Sequence, residues 1–284
     1  MKSILAAVSG PLVLLAAAPA VAQDPGNTES TLDAYEETVF DGDWLSIGVG
    51  AVYSPSYRGS DDYVISPLPI VQGSLGGVGI NPRPGGLALD FVPDADGEVA
   101  FSAGVAARVN RNRASQIKDP VVLSYGELDT AIEVGPTVGV SFPGVLNPYD
   151  SLSFTLDALW DVAGANKGMT VSPSVTYFTP VSRGAAVSLS FSATHVDDDY
   201  ADYYYSVPAG GVLPAFQAGG GFQSVGVNLL GAVDLDGNLQ NGGLALIALG
   251  GYSRLLGDAK RSPFTSIQGD ADQWMGALGI GYTF

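Results

Sequence analysis

The chain's single histidine, His195, is the one side chain whose ordinary pKa lies near neutral pH, and beside a serine it could act as a general base for acyl transfer. Ser192 lies three residues back, which on a strand puts it on the opposite face. The immediate neighbours are Thr194 and Val196, so there is no local His–Ser pair, and no catalytic residue is assigned. Asp197, Asp198, Asp199 and Asp202 form an oxygen-rich cluster of the kind that suits Ca²⁺ or Mg²⁺. The spacing lacks the Gly and terminal Glu of a calcium loop, and solvated loop charge is the favoured reading. Asp234-Leu235-Asp236-Gly237-Asn238 reads as a turn, with Asp-Gly supplying positive φ. No metal site and no cofactor is expected.

Two further groups could recognise ligands. Tyr200, Tyr203, Tyr204 and Tyr205 form an aromatic cluster suited to an interface or to carbohydrate stacking. Arg58, Arg108, Arg111 and Arg113 are cations that can pair with phosphates or internal carboxylates. With 29 acidic against 12 basic residues, nucleic-acid binding is excluded as a main role. The absence of cysteine excludes a disulfide scaffold and a thiolate metal centre.

The elements that carry these residues are strands. Leu152, Phe154, Leu156, Ala158, Trp160 and Val162 alternate with Ser151, Ser153, Thr155, Asp157 and Asp161. Val187, Leu189, Phe191 and Ala193 alternate with Ser188, Ser190, Ser192 and Thr194 in the same way. One face is continuously apolar and the other small and polar, over runs longer than a sandwich strand needs. Such runs fit tilted strands that cross a bilayer, closed so that no edge is left unpaired.

The rest of the chain agrees. Lys2, the apolar run from Ile4 to Ala18 and Ala20-Val21-Ala22 form an export signal, 1–22, cleaved before Gln23. Residues 23–43 read as a mobile acidic periplasmic tail, and 44–284 as the barrel. Twelve strands are expected, at 44–53, 63–73, 76–81, 86–92, 98–110, 129–142, 150–162, 168–179, 186–196, 222–235, 243–253 and 273–284. Ten is the alternative, because the third and fourth are short. The long connections, 111–128, 197–221 and 254–272, all follow odd-numbered strands, as outer loops do in outer-membrane barrels. In that setting the tyrosines read as an interfacial girdle and His195 as a headgroup-level rim residue. Asp90, Asp157, Asp161 and Asp234 point to the lumen, where their charge would favour cations if the lumen is open.

Several motifs, in this order and spacing, resemble the MipA/OmpV family. They are Tyr57, Gly59, Ser60 and Asp61 followed by Pro69; Gly135 within Glu133-Val134-Gly135-Pro136; and Tyr200, Tyr204 and Val207. Then come Arg254, Leu255, Asp258, Ser262 and Pro263, and finally Tyr282 and Phe284 at the C-terminus. The basic pair Lys260-Arg261 departs from the family pattern. The resemblance implies a Gram-negative outer-membrane β-barrel in contact with lipid and lipopolysaccharide. It also implies a non-enzymatic scaffold linking a murein lytic transglycosylase to a peptidoglycan synthase, although other members are described as porin-like or adhesive. The terminal aromatic strand resembles the signal read by the barrel-assembly machinery.

Overall fold

The computed structural model describes residues 38–93 and 99–284. The expected signal, 1–22, and residues 23–37 of the tail lie outside the described residues. At the end of the tail Thr38 caps a single 3₁₀ turn, Val39–Asp41. The Phe40 ring then packs edge-on against Trp44 at 4.9 Å.

Twelve antiparallel strands close into one barrel. They are β1 (Trp44–Pro55), β2 (Tyr63–Leu75), β3 (Val78–Arg83), β4 (Gly86–Asp90), β5 (Ala100–Asn110), β6 (Ala131–Pro143), β7 (Ser151–Asp161), β8 (Met169–Ser182), β9 (Ala185–Val196), β10 (Gly221–Asp234), β11 (Gly243–Leu255) and β12 (Asp272–Thr283). Each strand pairs with the next, and β12 returns to β1 through the register Ser46↔Thr283 to Tyr53↔Gly276. The count of twelve is the expected one. All strands except β3 and β4 are at least 11 residues long, enough to cross the hydrocarbon layer at a tilt.

Alternation sets which face meets lipid. Phe101, Ile65 and Leu278 are 65%, 68% and 71% exposed on the outer wall. Their sequence neighbours turn inward, where hydroxyls pair from strand to strand. Ser141 meets Ser153 at 2.9 Å, Thr176 meets Ser190 at 2.9 Å, and Ser46 meets Thr283 at 2.6 Å. Among the described residues the barrel wall holds only one small buried apolar cluster, Ala88, Ala106 and Leu159. Its outward apolar face explains the mean hydropathy of +0.23 with only 14% charged residues.

The packed core lies at one end. The connections 111–130, 197–220 and 256–271 carry α1 (Pro120–Leu123), α2 (Asp198–Tyr205), α3 (Gly257–Arg261) and α4 (Pro263–Ser266). They fold over the outer mouth as a cap with its own apolar interior. Tyr200, Tyr204, Tyr205, Leu255 and Ala259 form one buried cluster, and Tyr57, Val122, Leu213 and Phe264 a second. The opposite end carries both barrel termini and tight turns, and in this class that end faces the periplasm.

Candidate functional site

The residues that sequence reasoning singled out converge where the cap meets the lumen. Asp197 is the N-cap of α2, accepting from the Tyr200 N–H at 3.0 Å and from the Met169 N–H of β8 at 2.8 Å. That double contact fixes the helix above the mouth. The eight-residue helix turns Tyr200, Tyr204 and Tyr205 inward, where each is at most 1% exposed. The expected lipid-interface girdle is thus corrected: these three rings form the cap core, because here burial against neighbouring loops replaces contact with headgroups. Tyr203 packs partly against the same cluster, and its phenol oxygen accepts from the Asp129 N–H at 2.9 Å.

Below the rings lies a buried polar network. The Tyr200 phenol oxygen receives Arg58 Nη1 at 3.1 Å, Asn110 Nδ2 at 3.2 Å and Gln223 Nε2 at 3.4 Å. Gln223 also accepts from Arg58 at 2.9 Å and donates to the Tyr205 phenol at 2.7 Å. A register shift between Phe222 and Ser224 marks the bulge that carries Gln223, which is 1% exposed. Asn110 donates to Glu133 at 2.8 Å, Arg108 forms an ion pair with the other Glu133 oxygen, and Arg108 also donates to Thr170 at 2.9 Å. Residues from β5, β6, β8 and β10 are thereby tied to the cap across the full width of the barrel.

A second set of bonds holds the cap together. Arg113 stacks over the Phe264 ring at 4.0 Å and donates to the Tyr204 carbonyl at 3.2 Å. Loss of hydration pushes its guanidinium down to about 10. Ser262 donates to the Tyr205 carbonyl at 2.7 Å, and Tyr57 shares its hydroxyl between the Phe264 and Gln268 carbonyls at 3.3 Å each. Burial raises the Tyr57, Tyr204 and Tyr205 phenols above their ordinary value. Asp258 accepts from the Gly219 N–H at 2.8 Å and pairs with Arg261, which together hold its carboxyl below the usual range.

The family-motif residues fall into three places. Tyr57, Gly59, Ser60, Tyr200, Tyr204, Val207, Leu255, Asp258, Ser262 and Pro263 belong to the cap. Gly59 donates to Gln273 at 3.0 Å and Ser60 bridges Gly269, so the first motif is clamped to the last connection. Arg254 meets Asp272 at 3.5 Å on the outer wall, where Tyr282 and Phe284 pack together at 4.7 Å near the other end. Pro69 lies on β2 and Gly135 on β6, while Asp61 is exposed in the short β1–β2 connection.

The remaining candidate residues lie apart from this network. The acidic cluster is dispersed: Asp198 accepts from the Gly220 N–H at 2.7 Å and Asp202 from Gln217 at 2.6 Å. No group of three or more metal-ligating side chains gathers among the described residues. Asp161 and Asp234 lie at strand ends and are engaged by turns. Asp161 accepts from the Ala163, Asn166 and Lys167 N–H groups, and Asp234 from those of Asp236, Gly237 and Asn238, so each carboxylate shapes a turn. Asp157 does face the lumen, but Arg83 pairs with it at 2.9 Å. Asp90 accepts from the backbone of Val92 and Ala103. His195 packs edge-on against Phe222 at 5.4 Å, and among the described residues neither a serine nor a carboxylate bonds to it. Asn110, Gln223 and Gln273 were missed by sequence reasoning. Their only signal is a large polar residue at the outer end of a small-residue face.

This fold and site define a class: an outer-membrane β-barrel whose outer mouth is filled by a folded cap of its own loops. Within that class, the family described as MltA-interacting protein MipA matches residues 47–284, and the chain belongs to it. No curated protein matches the chain in sequence. Among solved structures it is similar to an outer membrane channel from Pseudomonas putida, at 14% identity over 89% of this chain and 100% of that one, with a TM-score of 0.45. It is also similar to OmpT of Vibrio cholerae, at 8% identity over 85% and 97%, TM-score 0.37. A FadL homologue of Pseudomonas aeruginosa shares 9% identity over 86% and 90%, TM-score 0.34.

Proposed function

We propose that this protein is a non-enzymatic scaffold of the Gram-negative outer membrane. Its periplasmic end docks a murein lytic transglycosylase and, through it or beside it, a peptidoglycan synthase. The observation that carries the reading is the filled outer mouth. Gln223, Glu133, Thr170 and Tyr200, which come from separate parts of the wall and cap, are each at most 1% exposed. A mouth occupied in this way favours binding over passage of solutes, and the periplasmic end is the face that meets the cell wall. The name of the matched family, MltA-interacting protein, supports a partner of that kind.

A cation-preferring channel is less well supported, because the lumen carboxylates Asp157 and Glu133 are each neutralised by an arginine. Affinity capture from envelope extracts tests the scaffold. Enrichment of the transglycosylase and the synthase over an unrelated barrel is expected, and equal recovery from both would overturn the reading.

A further inference from the structure

The wall has a seam. β1 and β2 pair over their whole length, from Trp44↔Ser74 to Pro55↔Tyr63. On its other side β2 pairs with β3 only through Gly73↔Ile80, Ser74↔Gly79 and Leu75↔Val78. The β3–β4 hairpin turns back after Arg83, so among the described residues no strand pairs with the edge of β2 from Tyr63 to Gln72. At 3.3 Å per residue that free edge runs roughly 30 Å.

The edge has identifiable chemistry. The tight turn after Leu75 directs the backbone groups of Leu75, and of every second residue before it, toward the β3 side. Pro67 and Pro69 share that parity and lack the N–H groups that would point into the seam, the usual place for proline in a sheet. Tyr63 has the same parity, and its carbonyl accepts from Lys118 Nζ at 2.7 Å rather than from a strand. Lys118, with Gln116 against Ser66 at 3.3 Å, straps the top of the seam.

Open sheet edges are not tolerated in hydrocarbon unless they line a hydrated space. The carbonyls of Ile65, Pro67, Pro69 and Val71 therefore need water, and the lumen is its source. Apolar residues flank the seam on both faces: Ile65 and Val71 outside, Leu68 and Ile70 inside. A groove of about 660 Å³ on the lipid side leads from Val187 and Leu229 across Gly231, Gly250 and Gly276 to Ile65, at the edge of the seam.

We infer that the seam between β2 and the β3–β4 hairpin is a lateral portal that admits an acyl chain from the surrounding membrane into the lumen. The groove delivers the chain, and the proline-edged strand forms one jamb of the portal. This proposal is independent of the scaffold: loss of partner capture would leave it standing.

The chain has no cysteine, so single cysteines can be labelled uniquely. Leu68→Cys and Ser190→Cys, both lumen-facing, are labelled with a bimane fluorophore and reconstituted in phosphatidylcholine vesicles with plain or brominated acyl chains. Leu68 lies at the portal, and Ser190 is paired on both sides, with Thr176 and Asn228. The bimane at Leu68 is expected to lose at least half its emission in brominated vesicles, while that at Ser190 stays unchanged. Quenching at neither position, equal quenching at both, or quenching at Ser190 alone overturns the portal. Heat-modifiable gel migration verifies that each variant is folded, and Ile70→Cys on the same face replaces Leu68→Cys if it is not.

Discussion

Asn110 Nδ2 and the Tyr200 phenol oxygen meet at 3.2 Å across the outer mouth, joining the end of β5 to a helix 90 residues later. Arg58 and Gln223 converge on the same oxygen from two other directions. Tyr200→Phe keeps the ring and removes that acceptor, so Arg58 Nη1, Asn110 Nδ2 and Gln223 Nε2 each lose one of their two buried partners, at a cost of about 1–3 kcal/mol. Faster proteolytic cleavage within 197–220, with the barrel still heat-modifiable, is the expected result. Unchanged cleavage would show that the network does not hold the cap.

The buried pair Arg108–Glu133 supports the same junction from below. Removing one partner strands a charge, and Glu133→Leu alone should cost about 3–5 kcal/mol. The double variant Arg108→Met with Glu133→Leu should recover most of that loss, since it strands no charge. Urea unfolding followed by tryptophan fluorescence measures both. Equal destabilisation by the single and double variants would contradict the assignment.

Gly59 tests how the first motif is clamped. Its φ is +101°, and a Cβ there would collide with Thr265 Oγ1 in α4. Gly59→Ala adds left-handed backbone strain to that clash, at a cost of about 1 kcal/mol or more. The cap should loosen while strand pairing stays intact, seen as protease sensitivity at 256–271 without loss of β-sheet circular dichroism.

The barrel was legible in the sequence because lipid imposes a simple rule on every strand. Leu152 to Val162 shows it without help from distant contacts, and the expected strand bounds fall close to the observed ones. The cap was not legible, for physical reasons. The helix Asp198–Tyr205 is too short to display a helical period, and tyrosine suits an interface as well as a core. Only the partners Arg58, Asn110 and Gln223, drawn from remote strands, decide between those fates. The alternating Pro67 and Pro69 carried a local sign of a free strand edge that the period-2 pattern alone did not use.

Asp258 gives the cap a pH dependence. Its carboxyl is held below the ordinary value of 3.8 by the Gly219 N–H and by Arg261. Its stabilising contribution is therefore complete above that ordinary value. It shrinks as pH falls below it, and is gone once pH passes below the depressed folded value. Proteolysis with an acid-active protease should show the 256–271 connection opening in that acidic window. Asp258→Asn should be loosened already at neutral pH, with a flatter profile. A wild-type profile matching the variant's would contradict the linkage.

Planar-bilayer recording tests the central claim, a barrel plugged by its own cap, most directly. Purified wild-type protein should insert without ohmic current steps. The double variant Tyr200→Ala with Tyr204→Ala, which hollows the cap core, should conduct. Stable steps of a cation-selective conductance in the wild type would contradict the account and return the channel reading.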